Sequence, residues 1–207
     1  MKKITDIKPQ AKTPTRCNIY LDNAFYCGLE LETVMKNRLK IGQEITLEKL
    51  DEIQAESELI KATEKALNLL AKSQKTTKQV RDYLSQKGYT ESTVEKVIEK
   101  LLDYKYLSDG EYASQYARSH AKNKGKKLIG LELKMRGVSA EDVAEAIEEV
   151  GDQTEIAVKI AEKYLKNKQK DRANIHKCYK YLLSKGFDYE VAKVAAQKVG
   201  SFEDDLF

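Results

Sequence analysis

Tryptophan is absent from this sequence, and its 207 residues include only two prolines and two histidines. Glycine, at ten, is also sparse. So few chain breakers favour long helices over a β-sandwich. No apolar run approaches the roughly 18 residues that a membrane-spanning helix requires. The opening MKKITDIKPQ turns polar at once and lacks the apolar centre of a secretory signal. A cytoplasmic chain with no membrane segment is the expectation.

Chemistry is equally thin. Cys17, Cys27 and Cys178 are odd in number and show no CxxC spacing, which argues against a disulfide framework or a zinc site. A hairpin turn at Asp22-Asn23 would point Cys17 and Cys27 to opposite faces of a sheet, so the three are read as free thiols that pack. There is no GxxxxGK[ST], GxGxxG or GxSxG. His120 and His176 each stand alone among basic residues, with no carboxylate set spaced to join them. Catalytic residues, metals and cofactors are not expected, and neither is enzyme activity.

What the chain does have is charge, at 34% of residues, arranged in blocks that the net value of +4 conceals. Seven acids and no base lie between Glu141 and Glu155. Nine bases against Glu162 and Asp171 follow between Ile156 and Lys185. One such run is ordinarily a solvated helix face, but two of opposite sign on one short chain suit a charged partner.

The organisation is a β-rich module over 1–50, then helices. KKITDIK, RCNIYL and AFYCG are β-forming segments, with Asp22-Asn23 as the turn between the last two and Pro9 and Pro14 bracketing a loop. Leu31 to Leu39 reads as a short helix stopped by Gly42. From there, three copies of one pattern appear: LSQKGYTESTV at Leu84, LKMRGVSAEDV at Leu133 and LLSKGFDYEVA at Leu182. Gly88, Gly137 and Gly186 fall 49 residues apart each time. Each copy resolves into three helices, over 57–73, 77–87 and 91–104, then 109–123, 127–136 and 140–150, then 153–169, 172–185 and 189–199. The repeats are bounded as 51–106, 107–151 and 152–200, and 201–207 is left as an acidic tail. The fold is therefore read as mostly α, with three tandem three-helix repeats forming an elongated, curved solenoid behind a small module that contains a β-hairpin.

Capping chemistry explains the repeated glycine. It follows a basic residue (Lys87, Arg136, Lys185) where the second helix must stop, and only glycine takes a left-handed turn there without steric cost. Thr76 to Gln79 and Ser108 to Glu111 have capping-box spacing, with Ser108 and Asp109 starting their helix. Thr90, Ser139, Asp152, Asp171 and Asp188 are further N-cap candidates.

The middle of the chain carries a more specific pattern. Val80-Arg81-Asp82-Tyr83-Leu84 runs into Lys87-Gly88-Tyr89, and Tyr106-Leu107-Ser108-Asp109 into Tyr112-Ala113. Lys124-Gly125-Lys126 then precedes Glu132-Leu133 and Arg136-Gly137-Val138. These stretches resemble the RecX family, regulators of the bacterial recombinase RecA. NIYLDNAFYCGLELETVMK also resembles the β-rich extension of Gram-positive members, so the likeness covers nearly the whole chain. Ser108 stands where the family more often has a second aspartate. The resemblance implies a non-enzymatic, monomeric modulator that lies in the groove of the RecA–DNA filament. It would inhibit strand exchange, ATP hydrolysis and the coprotease activity behind the SOS response, with roles in DNA repair and recombination.

Tyr83, Leu84, Tyr106, Tyr112, Ala113 and Tyr116 sit at helical spacing and are expected in the core. The candidate contacts to the filament or to DNA are basic: Arg81, Arg118, Lys122, Lys124, Lys126, Lys127, Lys134 and Arg136, then Lys166, Lys168, Lys170 and Arg172. The segment with Lys124, Lys126 and Lys127 is expected as a solvated connection whose charge can be reversed without harm to the fold. The alternative is a helical-repeat protein that binds single- or double-stranded nucleic acid directly, weakly and electrostatically, with no RecA target.

Overall fold

The computed structural model describes residues 1–200, so the acidic tail at 201–207 lies outside the described residues. Four strands, β1 (Lys2–Gln10), β2 (Thr13–Leu21), β3 (Ala24–Glu30) and β4 (Glu44–Ile45), form one antiparallel sheet in the order β3-β2-β1-β4. A two-residue turn joins β2 to β3, with Asp22 at φ 48 and Asn23 at φ 68. Positive φ at both positions is what a tight, right-twisted hairpin demands, and Asp and Asn tolerate it. The strands run further than the prolines suggested. Pro9 lies within β1 and Pro14 within β2, and only Ala11 and Lys12 remain between them. β4 pairs only with Lys2 and Lys3, so Pro9 sits where the outer edge of β1 is open, a setting that tolerates a missing N–H.

The cysteine faces differ from expectation. Tyr20 pairs with Phe25, but Ile19 pairs with Cys27, so a bulge absorbs one residue of β3. That slip inverts the parity of the strand beyond it. Cys17, Ile19, Leu21, Cys27 and Leu29 all become buried in one cluster. The cysteines are free, and burial raises the Cys27 and Cys178 thiols to about 11 each, which leaves them protonated packing groups.

A short helix, α1 (Leu31–Lys36), ends earlier than read, at a turn where Arg38 takes φ 49 and Leu39 N bonds back to Val34 O. The next helix, α2 (Leu47–Leu70), begins ten residues before the expected start, on Thr46, whose hydroxyl accepts from Lys49 N. Leu50 and Ile53 pack into the sheet cluster, while Ala62 and Ala66 belong to the first repeat's core. The expected module boundary at 50 therefore falls inside one continuous helix.

The remaining helices are α3 (Thr77–Gln86), α4 (Glu91–Asp103), α5 (Asp109–His120), α6 (Lys126–Met135), α7 (Ala140–Glu148), α8 (Thr154–Leu165), α9 (Arg172–Ser184) and α10 (Tyr189–Gly200). Each triplet closes on its own apolar cluster, and Val80, Ile129 and Cys178, one per repeat, are fully buried at equivalent positions. Two compact units result, residues 1–74 with 80–107 and residues 75–79 with 108 onward.

The second helix of every repeat ends alike. Gly88, Gly137 and Gly186 take φ between 84 and 86. In each, the glycine N–H bonds to the carbonyl three residues back. The next N–H (Tyr89, Val138, Phe187) reaches Leu84 O, Leu133 O or Leu182 O at 3.2–3.3 Å. This Schellman arrangement satisfies two of the carbonyls that a helix end leaves open. Thr76, Thr90, Ser108, Ser139 and Asp171 accept at helix starts through their side chains. Asp152 instead accepts from Thr154 within its own turn, and the Asp188 carboxylate turns to Lys127.

These ends also join the repeats. Gly125, the N-cap of α6, donates to Lys185 O at 2.9 Å, and Lys127 N donates to Gly186 O at 3.1 Å. One period earlier, the Thr76 hydroxyl donates to Arg136 O at 2.7 Å and Thr77 N donates to Asp109 Oδ1 at 2.7 Å. The start of one repeat's second helix thus seats on the capped end of the next. Gln153, 4% exposed, locks the later joint by donating to Ala121 O and Lys124 O and accepting from Lys126 N.

Candidate partner-binding surface

The candidate basic residues divide by what already neutralises them. Arg81, on α3, makes a two-bond fork to Glu95 on α4, at 2.8 and 3.1 Å. Arg118, on α5, pairs with Glu149 at 3.0 Å, and that carboxylate also accepts from Ser114. Lys127 pairs with Asp188 across the joint at 3.3 Å. Exposed pairs of this kind contribute ~0–1 kcal/mol each, so a partner could recruit these cations at little cost.

Lys124 is different, and corrects the solvated-connection reading. Its side chain is 27% exposed and bonds Glu132 Oε2 at 2.7 Å, while Tyr116 donates to the same oxygen at 2.7 Å. Burial alone would raise the Glu132 pKa, but the bonds from Lys124 and Tyr116 outweigh it and hold the carboxyl below its usual value. Arg136 lies over the Tyr116 ring at 4.8 Å, and that ring stacks between Tyr112 and His120. Lys124 and Arg136 are therefore half-buried and already engaged within repeat 2. Lys126 is half-buried at the start of α6, whereas Lys122 and Lys134 are exposed.

The third repeat holds its cations outward. Lys166, Lys168, Lys170 and Arg172, in and around the connection from α8 to α9, are all exposed. Among the described residues none of these four enters an ion pair. Beside them Tyr164 and Tyr181 stack at 4.7 Å, with Lys168 Nζ 3.2 Å over the first ring and Lys185 Nζ 5.4 Å over the second. Such a surface offers uncompensated positive charge together with aromatic faces.

One tyrosine expected in the core is not there. Tyr106 is 60% exposed, next to Tyr104 at 66%, while Leu107 takes the buried place. The cause is the end of α4. Lys105 adopts φ 58, and Lys105 N and Tyr106 N bond back to Leu102 O and Leu101 O. This is the glycine-type helix stop built on lysine, and it turns both rings outward. The missing signal was the absence of glycine at that position. Tyr83, Tyr112 and Tyr116 are half-buried, and Leu84 and Ala113 are fully buried.

Among the described residues no group of His, Cys, Asp and Glu could hold a metal ion, and no helix is long and apolar enough to cross a membrane. Comparison with known proteins covers the chain from end to end. The regulatory protein RecX N-terminal domain matches residues 2–46, and the first, second and third RecX three-helix domains match 62–101, 108–147 and 151–195. Regulatory protein RecX of Clostridium perfringens is 33% identical over 98% of this chain and 99% of its own. That of Bacillus subtilis is 33% identical over 99% of this chain and 80% of its own. A crystal structure of a regulatory protein RecX superposes with a TM-score of 0.71 at 27% identity, covering 94% of this chain and 98% of the other. RecX from Lactobacillus salivarius gives a TM-score of 0.65 at 30% identity over 70% and 97% of the two chains. With its sheet module and all three helix triplets accounted for in order, this chain belongs to the RecX family of non-enzymatic regulatory proteins.

Proposed function

We propose that the chain binds the RecA–DNA filament and restrains its recombinase, ATPase and coprotease activities, acting in the cytoplasm as a monomer without a cofactor. The observation that carries this reading is the full-length kinship, at 33% identity over 98% of the chain, with a regulatory protein RecX. RecA modulation comes from what that family is, and the surface supports it. The uncompensated cations of repeat 3, Lys166, Lys168, Lys170 and Arg172, suit filament carboxylates or phosphates. Tyr104 and Tyr106 supply the exposed aromatic area typical of contact centres. Several modest contacts to adjacent subunits of a repeating polymer act together through effective concentration.

The test is RecA ATP hydrolysis on single-stranded DNA with the parent chain and with a Lys166→Glu, Lys168→Glu, Lys170→Glu variant. The parent slows hydrolysis. The variant melts like the parent, because exposed substitutions cost ~0.5 kcal/mol or less each, but no longer slows it. Undiminished inhibition by the variant would remove repeat 3 from the contact surface. The stacked Tyr164–Tyr181 pair under its lysines favours one further reading, direct binding of single-stranded nucleic acid, since bases stack on aromatic rings beside cations. Equal affinity for DNA with and without RecA would support that reading over the first.

A further inference from the structure

The N-terminal module carries a groove that the filament reading does not use. It lies within the first compact unit, bounded by β2, the end of β3, α1 and the middle of α2, and encloses roughly 710 Å³. Leu31 and Met35, one turn apart on α1, and Ile60 of α2 supply the apolar part of its lining. Met35 is 70% exposed and Leu31 41%, although a hydrophobic cluster to bury them in lies within the same module. Large apolar side chains gathered in a concavity, a flexible methionine among them, mark a contact site more often than isolated exposed ones do.

The charge of the rim says what fits. Four ionisable residues line the groove: Glu30, Glu32, Lys36 and Glu64. Lys36 is taken by Glu56 on α2, and buried Glu30 faces Arg16 at 3.5 Å. Glu32 and Glu64 enter no ion pair among the described residues. Glu32 lies near Lys36 and Glu64 near Lys61 without pairing to them, so an apolar floor between these two carboxylates is complementary to a bulky apolar side chain flanked by lysine or arginine. It repels the chain's own 201–207 segment, which carries three acids and no base.

We infer that this groove docks a partner protein through a short segment in which bulky apolar residues alternate with basic ones. That makes the N-terminal module a second docking site, separate from the basic surface of repeat 3. Binding rests on the floor for affinity and on Glu32 and Glu64 for the choice of sign.

The full chain is titrated by fluorescence anisotropy with a labelled peptide in which leucine and lysine alternate. The same peptide with glutamate in place of lysine serves as the comparison. The lysine peptide binds and the glutamate peptide does not. Both a Leu31→Ser, Met35→Ser variant and a Glu32→Gln, Glu64→Gln variant weaken lysine-peptide binding about tenfold or more, the loss expected when a contact centre is removed. A Glu141→Gln, Glu145→Gln variant in the other acidic run leaves binding unchanged. Thermal melts of all variants establish that they are folded. Equal binding by parent and groove variants would overturn the inference, as would loss only in the Glu141 and Glu145 variant. Self-association of the parent that disappears in the floor variant would also overturn it, by assigning the groove to a second copy.

Discussion

The joint between repeats 2 and 3 gives the sharpest quantitative prediction, because two glycines five residues apart should respond in opposite directions to alanine. Gly125 has ordinary extended backbone, φ −79 and ψ 160, so alanine is not strained there by conformation. Space is the obstacle. A Cβ on Gly125 would lie 2.1 Å from the Gly186 carbonyl carbon and oxygen and from Phe187 N, all backbone atoms that cannot rotate aside. The joint must open, which weakens the bonds Gly125 N to Lys185 O and Lys127 N to Gly186 O. Two such bonds are worth about 1–3 kcal/mol together, and overpacking adds about 1–3 kcal/mol. The expected loss is ~2–6 kcal/mol, or a midpoint lowered by roughly 8–24 °C at about 4 °C per kcal/mol for a unit of this size. Gly130, by contrast, lies inside α6, and its added Cβ would meet Val143 Cγ1 at 3.5 Å, ordinary contact. Gly130→Ala should be neutral or stabilise by ~0.5–1 kcal/mol, the gain of replacing glycine within a helix. Thermal melting by circular dichroism measures both. A Gly125→Ala protein that melts within about 2 °C of the parent, well below the expected shift, would refute the joint as described.

Lys124→Ala should cost about 1–2 kcal/mol, because it strands the half-buried Glu132, whereas Arg118→Ala, which removes an exposed pair, should cost under ~0.5 kcal/mol; urea melts compare the two. Because the Glu132 pKa is depressed in the fold, its contribution is complete above the unfolded carboxylate's pKa and is lost as pH falls through the folded value. The stability gap between parent and Glu132→Gln should therefore narrow on acidification, and a gap unchanged down to strongly acid pH would contradict the network. Gly137→Val should destabilise by at least ~1–3 kcal/mol, since φ is +85 and a Cβ would also press on Lys78 Cβ at 2.6 Å; an unchanged melting midpoint would contradict the cap. Tyr106→Ala should melt like the parent yet weaken filament binding several-fold in co-sedimentation, and equal binding would make the exposed ring a bystander.

Much of the fold could be read from local chemistry. The glycine ends and the threonine and serine starts each involve residues within five positions of one another, the range over which caps act, and the 49-residue period makes them visible by repeating them. The start of α2 could not be read this way. Of its first ten residues only Leu50 and Ile53 are buried, and both pack into the sheet cluster, so they answer to a partner outside the repeat. The cysteine faces depend on a bulge in β3, between Phe25 and Cys27, that no residue type announces. The basic residues of the surface were identifiable as types, but their availability was not. Arg118 meets Glu149 and Lys127 meets Asp188 through folding, whereas Lys168 lies over a ring close by in sequence. Tyr106 lies outside the core because Lys105 performs the left-handed turn that is ordinarily glycine's.

The proposed target is the RecA filament and not bare nucleic acid. Purified chain is mixed with RecA assembled on single-stranded DNA with a non-hydrolysed nucleotide, and with the same DNA alone, and co-sedimentation is followed from roughly 50 to 200 mM salt. Binding that relies on many phosphates falls about 10³–10⁵-fold over that range. The chain should sediment with the filament throughout, while its association with bare DNA disappears. Equal affinity for DNA with and without RecA across the range would contradict the claim.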